Sequence, residues 1–195
     1  MDVSHTMETE EDLLTCLSIK FYHPQQSLRG LYSLLPTGIR IRRSADDPLR
    51  LGRDPQSCCF ALVDPRVSRK QLGLYAYRTA QSPNMLFTIQ NLSQRGCMSV
   101  NGSALGYLER TDLPEKALVR FGEYEMLIIQ EPGEAKGSYE VEFEVLPVPP
   151  SRETGTYPPT VTPVMDTAGS CVRNGFSRLG SREPSETDET LPYDS

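Results

Sequence analysis

Between Thr15 and Leu146 the sequence predicts an all-β domain, a sandwich or barrel. Three observations carry this: about ten short segments of β-like pattern, turn residues between them, and no helical period of useful length. The first segment, TCLSIKFY at 15–22, sets Leu17, Ile19 and Phe21 on one face and Ser18, Lys20 and Tyr22 on the other, the period of a half-buried strand. Further segments stand at 30–35, 38–42, 59–63, 71–77, 85–90, 98–100, 117–121, 123–129 and 139–146. In the last, Tyr139, Val141, Phe143 and Val145 alternate with Glu140, Glu142 and Glu144, so its acidic face must meet solvent or a basic partner. Gly, Pro, Asn and Asp punctuate the intervals, as in sandwiches and barrels.

Length allows one ordinary domain with tails. After Leu146 the chain is rich in Pro, Ser, Thr and Gly and has too few bulky apolar residues to offset the entropy of ordering. The expected organisation is a flexible tail over 1–14, a domain over 15–146 and a disordered tail over 147–195. No apolar run is long enough to span a bilayer, and the acidic start MDVSHTMETEED lacks the features of a secretory signal, so a soluble, intracellular protein is expected.

The net charge of −6 is unevenly spread. Residues 1–12 hold five acids and no Lys or Arg; 13–110 hold thirteen basic against five acidic residues; 111–195 hold seven basic against sixteen acidic. A basic middle between acidic ends suggests an anion-binding surface whose ligand lies in the chain's own tails. Five cysteines without a CxxC pair and two histidines give no regularly spaced zinc ligands. Neither His5 nor His23 stands in a recognisable nucleophile setting, no glycine-rich nucleotide loop precedes a helix, and no paired carboxylates sit among the candidate loops, so catalysis is set aside and no cofactor is expected.

Three sites stand out. In Leu51-Gly52-Arg53-Asp54, glycine permits a tight turn at a strand end, and the guanidinium beyond it can hold a phosphate through two parallel charge-assisted hydrogen bonds. Val67-Ser68-Arg69-Lys70-Gln71 offers a hydroxyl donor and two cations in one loop. Asn91-Leu92-Ser93 places a side-chain amide at a strand end, where it could fix a peptide backbone, and the later Asn101-Gly102 signals a hairpin.

That order, completed by LVRFGEYEM, resembles the forkhead-associated (FHA) domain family over roughly residues 15–146. The resemblance implies a β-sandwich of about eleven strands whose loops at one end bind phosphothreonine. It carries over Arg53 and Ser68 as phosphate ligands, Lys70 and Asn91 as supporting contacts, and Gly52 as the supporting turn. Two positions depart from the family pattern: Gln71 stands where His is usual, in a structural role that Gln can fill by hydrogen bonding, and Arg95 stands where Asn is usual, adding charge to the site.

The tails extend the resemblance. Thr9 sits among acids in Met7-Glu8-Thr9-Glu10-Glu11-Asp12, with Asp12 three residues on, a position at which FHA domains select strongly. Phosphorylation there adds close to two negative charges. Pro184-Ser185-Glu186-Thr187-Asp188-Glu189 matches the Pro-x-Glu-x-x-acid peptide that docks as an edge strand on the sixth-member class of TNF-receptor-associated factors (TRAFs) through Pro184, Glu186 and Glu189. With the Leu-Gly-Tyr-Leu segment at 105–108, the whole order is similar to that of adaptors combining an FHA domain with such a peptide. The similarity implies a cytoplasmic homodimer whose Thr9 is modified by an α-type protein kinase. Higher oligomers then form through phosphothreonine binding between subunits, and a TRAF ubiquitin ligase is recruited in innate immune signalling towards NF-kappa-B. Neither nucleic acid nor membrane is an implied partner. Two alternatives stay open at this level: an inhibitory paralogue with the same domain, and a reader of phosphothreonine on a foreign nuclear partner.

Overall fold

The structure is a computed structural model that describes residues 13–134 and 137–154; Thr9, Pro184, Glu186 and Glu189 lie outside them. The described residues form an all-β sandwich with one short helix. One sheet has seven strands, β1 (Cys16–Tyr22), β2 (Arg40–Ser44), β7 (Met98–Val100), β8 (Ser103–Leu105), β10 (Lys116–Phe121), β11 (Tyr124–Glu131) and β12 (Ser138–Val145), in the order β2-β12-β1-β11-β10-β7-β8. The other has five, β3 (Leu49–Gly52), β4 (Phe60–Ala61), β5 (Leu72–Tyr77), β6 (Leu86–Asn91) and β9 (Arg110–Asp112), in the order β4-β3-β5-β6-β9. Pairing is antiparallel except between β1 and β12 and between β3 and β4.

The alternation seen in the sequence supplies the core. Leu17, Ile19 and Phe21 of β1 and Tyr139, Val141 and Phe143 of β12 face inward against Leu72 and Leu74 of β5 and Phe87 and Ile89 of β6. Two aromatic pairs cross between the sheets, Phe60 with Phe143 at 4.6 Å and Phe87 with Tyr139 at 5.1 Å, both edge to face as ring quadrupoles favour.

The acidic face of β12 finds basic partners. Arg40, on edge strand β2, pairs with Glu140 and Glu142 of β12 and reaches past β1 to Glu131 of β11 at 3.1 Å, while Lys20 pairs with Glu144. This explains a departure from the half-buried strand expected at 15–22. β1 lies inside the sheet with Arg40 drawn across its start, so Cys16 and Ser18 are buried on the outer side as well. Burial pushes the Cys16 thiol up to about 11, with Arg40 opposing the shift.

The strand expected at 30–35 is instead a chain of turns, closed by local bonds such as Leu35 N–H to the Tyr32 carbonyl at 2.9 Å, from which Leu31 and Leu35 drop into the core. Its apolar spacing signals burial, but Gly30 and Pro36 bound a stretch whose hydrogen bonds mostly close local turns, with the Leu31 carbonyl accepting from Val63 N–H. β8 and β9 escaped the sequence reading because both are short and mostly polar or exposed. The Asn101-Gly102 hairpin is present, with φ of 49° and 85°, the left-handed pair that joins β7 to β8.

Both ends of the sandwich are fastened. Glu134 N–H donates to the Leu13 carbonyl at 2.7 Å, and Leu14 bridges Glu134 beyond the start of β1. Helix α1 (Pro150–Thr154) lies beyond Leu146, inside the stretch expected to be disordered, with Ser151 held on Glu125. No helix among the described residues is long and apolar enough to cross a membrane.

Gly133 is where the first fastening depends on a missing side chain, because a Cβ there would collide with the backbone of Leu14 and Thr15. Gly133→Ala is therefore expected to lower stability by about 1–3 kcal/mol, the usual range for forced overpacking. In urea denaturation and amide exchange it should also strip protection from the Glu134 amide; an unchanged amide would show that the neighbouring chain yields at little cost.

Candidate functional site

Gly52 ends β3 at the point where two loops come together. Its φ is not in the left-handed region; what it provides is contact, since a Cβ would collide with the Arg69 carbonyl and lie 2.9 Å from the Cys58 sulfur. The sequence reading of a turn glycine is corrected accordingly: glycine is needed here for close backbone approach. Across this contact Arg53 N–H donates to the Ser68 carbonyl at 2.9 Å and Asp54 N–H to the Arg69 carbonyl at 3.2 Å. The Gly52-Arg53 and Ser68-Arg69-Lys70 loops, fifteen residues apart in sequence, are thereby laced side by side.

The Arg53 guanidinium is steadied by one bond, Nη1 to the Pro65 carbonyl at 2.9 Å. Lys70, Arg69 and Arg95 are exposed. Among the described residues none of these four cations forms an ion pair with a carboxylate. Ser68 Oγ lies 2.5 Å from Ser93 Oγ, which ties in the loop between β6 and β7. Since the Ser93 hydroxyl donates to the Arg95 carbonyl at 2.8 Å, the Ser68 proton is directed to Ser93, and a phosphate at Ser68 would receive that proton by rotation of the hydroxyl. Gln71 is buried and accepts from Ser68 N–H at 3.4 Å, so it takes the structural place expected of it.

Asn91 behaves differently from the sequence reading. It is 2% exposed; its Nδ2 donates to the Leu105 carbonyl at 2.8 Å and its Oδ1 accepts from Ser93 N–H at 2.9 Å. The amide that was expected to meet a peptide backbone braces the turn carrying Ser93 and Arg95 instead, because a polar side chain sealed at a strand end must satisfy itself internally. Its effect on a ligand is through those two residues.

Beside Ser68 opens a cleft of about 280 Å³ lined by Arg66, Gln71, Arg95, Glu123 and Tyr124 among others, with His23 in its wall. Beneath it Asp64, 2% exposed, accepts from Arg66 N–H at 3.0 Å, Arg66 Nε at 3.2 Å and the Tyr124 hydroxyl at 2.9 Å. Burial alone would raise its pKa, but these donors hold the carboxyl below the usual range. His23 is pushed down by burial against Glu123's opposing pull; its Nδ1 accepts Gln25 N–H at 3.0 Å, which leaves the proton of the neutral ring on Nε2. Arg66 also pairs with Glu123 at 3.1 Å, so the cleft presents two guanidinium groups, one carrying an exchangeable acidic partner. Arg66, Ser93 and Asp64 were not selected from sequence, although Asp64-Pro65-Arg66 directly precedes the basic loop. His23 had no local signal, and Tyr124 entered the sequence reading only as part of the LVRFGEYEM string.

No group of three or more His, Cys, Asp or Glu among the described residues could hold a metal ion. A basic, hydroxyl-bearing set of loops with an adjoining cleft can bind an anion carried on a peptide; none of the described groups forms a recognisable nucleophile–base pair.

Residues 49–122 match the FHA domain family model, a span running from the start of β3 to the turn after β10 and containing every loop just described. The chain is 32% identical over 179 residues to the rat (Rattus norvegicus) TRAF-interacting protein with FHA domain-containing protein A, covering 92% of this chain and 94% of the relative. The human (Homo sapiens) protein A is 31% identical over the same shares, and human protein B is 34% identical over 71% of this chain and 83% of its own. This chain belongs to the family of TRAF-interacting proteins with an FHA domain. Its sandwich is accordingly an FHA domain, and the Gly52-Arg53 and Ser68 loops fall inside the matched span, with Gln71 accepting from Ser68 N–H.

In this FHA domain the Gly52 contact is the test of the site's construction. Gly52→Ala should separate the two laced loops, lowering stability by about 1–3 kcal/mol in chemical denaturation and broadening the Arg53 and Asp54 amide signals in NMR. Full stability with unshifted amides would mean that the loops are held by something other than this approach.

Proposed function

We propose that this chain is a non-catalytic adaptor: its FHA loops bind phosphothreonine, above all phosphorylated Thr9 of another copy, and its Pro184–Glu189 segment docks a TRAF ubiquitin ligase. The observation carrying the first part is that Arg53, Lys70 and Arg95 stand on three loops laced around the Ser68 hydroxyl with no carboxylate paired to them among the described residues. A phosphate there gains charge-assisted bonds without breaking existing ion pairs. An acid three residues beyond the phosphothreonine, Asp12 in this chain, would meet the cations Arg66 and Arg95 that line the cleft.

Exchange between copies is supported by where the chain is fastened. Leu14 is held at the far end of β1, whereas His23, just past its near end, lines the cleft. The five residues from Leu14 back to Thr9 reach at most ~18 Å at ~3.5 Å each, while the nine from Leu14 to His23 span ~30 Å along the strand at ~3.3 Å each. Reach thus favours a neighbour's site for Thr9 over its own. Head-to-tail contacts of this kind do not close unless symmetry allows, and growth through paired subunits is strengthened by effective concentration. The relatives' printed name supports a TRAF partner, and the Pro184, Glu186 and Glu189 spacing supplies the docking peptide. Cytoplasmic action, modification by an α-type kinase and output to NF-kappa-B complete the reading.

Titration with a Thr9-phosphorylated peptide tests the site. Arg53→Ala should weaken binding about ten- to a hundredfold, the equivalent of roughly 1.5–3 kcal/mol, while the protein stays folded; equal binding by wild type and variant would reject the assignment. Light scattering of Thr9-phosphorylated protein should show a mass increase that Arg53→Ala abolishes.

Glu186→Ala addresses the output separately. The variant should lose pulldown of the TRAF ligase yet retain phosphate-dependent assembly, because Glu186 is remote in sequence from Thr9 and from the loops and changes neither of them. Undiminished recruitment would make the C-terminal match a coincidence.

A further inference from the structure

The acid-flanked threonine occurs twice. Glu8-Thr9-Glu10-Glu11 near one end of the chain is matched near the other by Glu186-Thr187-Asp188-Glu189, with one acid before the threonine and two after it in both. A kinase that selects Thr9 by flanking charge meets the same charge at Thr187. The two differ three residues on, where the first has Asp12 and the second Thr190. As free peptides, the second should therefore be the weaker ligand for a cleft lined by Arg66 and Arg95.

The fold treats the two ends of the chain unequally. Leu13 and Leu14 are fastened to Glu134, at the far end of β1 from the cleft. The C-terminal side is fastened at the cleft end. Leu146 N–H bonds the Phe21 carbonyl, Gln26 Nε2 donates to the Leu146 carbonyl, and Ser151 N–H and Oγ both meet Glu125 at 3.0 and 2.8 Å, two residues from Glu123 in the cleft wall. α1, the last described element, thus stands at the end of the domain that carries the loops. From Thr154 to Thr187 the chain has a contour of over ~100 Å at ~3.5 Å per residue, so length sets no limit on reaching them.

We propose that Thr187 is a second phosphorylation site, and that its phosphothreonine is a second ligand of the Arg53–Ser68 loops, captured within the same chain. The proposal rests on the reading of those loops as phosphothreonine-binding. A protein kinase transfers the γ-phosphoryl group of a nucleoside triphosphate to the Thr187 hydroxyl: the new P–O ester bond forms, the bond between β- and γ-phosphates breaks, and nucleoside diphosphate and a proton leave. Tethering raises the local concentration of the product towards the millimolar range, which offsets the absent acid at the third position. Thr187 also lies between Glu186 and Glu189 of the docking segment, so capture covers the residues a TRAF would need. Phosphate at Thr9 links copies; phosphate at Thr187 competes for the same site and withholds the output.

The test uses the full chain with Thr9→Ala, with phosphothreonine installed at 187 or with unmodified threonine there. A fluorescent peptide of residues 4–15 phosphorylated at Thr9 is titrated into each, and mass is followed by light scattering. The expected result is normal binding to the unmodified chain, at least tenfold weaker binding to the modified one, reversal by phosphatase, and no mass increase with concentration. Equal binding to both forms overturns the Thr187 proposal and leaves the phosphothreonine site standing. Weakened binding with a mass that rises with concentration overturns capture within one chain. Peptide binding to neither form removes the site reading, and this proposal with it.

Discussion

The close approach of Gly52 to the Arg69 carbonyl is the constraint on which the binding end of this molecule depends. Phosphate recognition by separate loops needs cations and a hydroxyl held within a few ångströms of one another, and loops alone do not hold such geometry. Here two loops are laced by backbone bonds from Arg53 and Asp54, which exist only because no Cβ stands between them. The third loop joins through the Ser68 and Ser93 hydroxyls, with Asn91 buried behind as its brace. Arg53, Lys70 and Arg95 then project from a base fixed by backbone groups and satisfied polar side chains, so the backbone beneath them needs no further ordering.

A second polar assembly supports the cleft from below. Asp64 is sealed from solvent and takes donors from Arg66 and Tyr124, joining the loop after β4 to β11 across the gap between the sheets. His23 packs on the Tyr124 ring at 4.5 Å and closes the β1 side. A buried carboxylate is costly unless its lone pairs are used, and these donors use them; the network gives Arg66 a defined position at the cleft while its exposed bond to Glu123 remains exchangeable.

The seven-stranded sheet sets direction as well as core. β1 runs between β11 and β12, pinned at its start by the Leu13–Glu134 bond and ending beside the cleft. The parallel partner β12 ends near the same point and leads into α1, held on Glu125. Two parallel strands thus separate the described start and end of the domain by the length of the sheet.

The sequence by itself determined the all-β class, because period-two alternation of the kind at Leu17, Ile19 and Phe21 or at Tyr139, Val141 and Phe143 is a direct imprint of strand geometry on side-chain burial. It also determined the chemical character of the site, since Gly-Arg and Ser-Arg-Lys are local strings whose donors and charges are independent of fold. Only the tertiary structure decided which of those side chains are open at the loops and which are turned inward. Asn91 reads as an available amide until β8 is seen to take it; Gly52 reads as a turn until the Arg69 backbone is found against it. Tyr124 and His23 meet Asp64 and Arg66 across separations of 60 and 43 residues. The turns over 30–35 and the short strands β8 and β9 were hidden for other reasons: the apolar spacing of Leu31 and Leu35 records burial without recording the locally closed turns beneath it, and a three-residue strand that is mostly polar or exposed leaves no alternation to read.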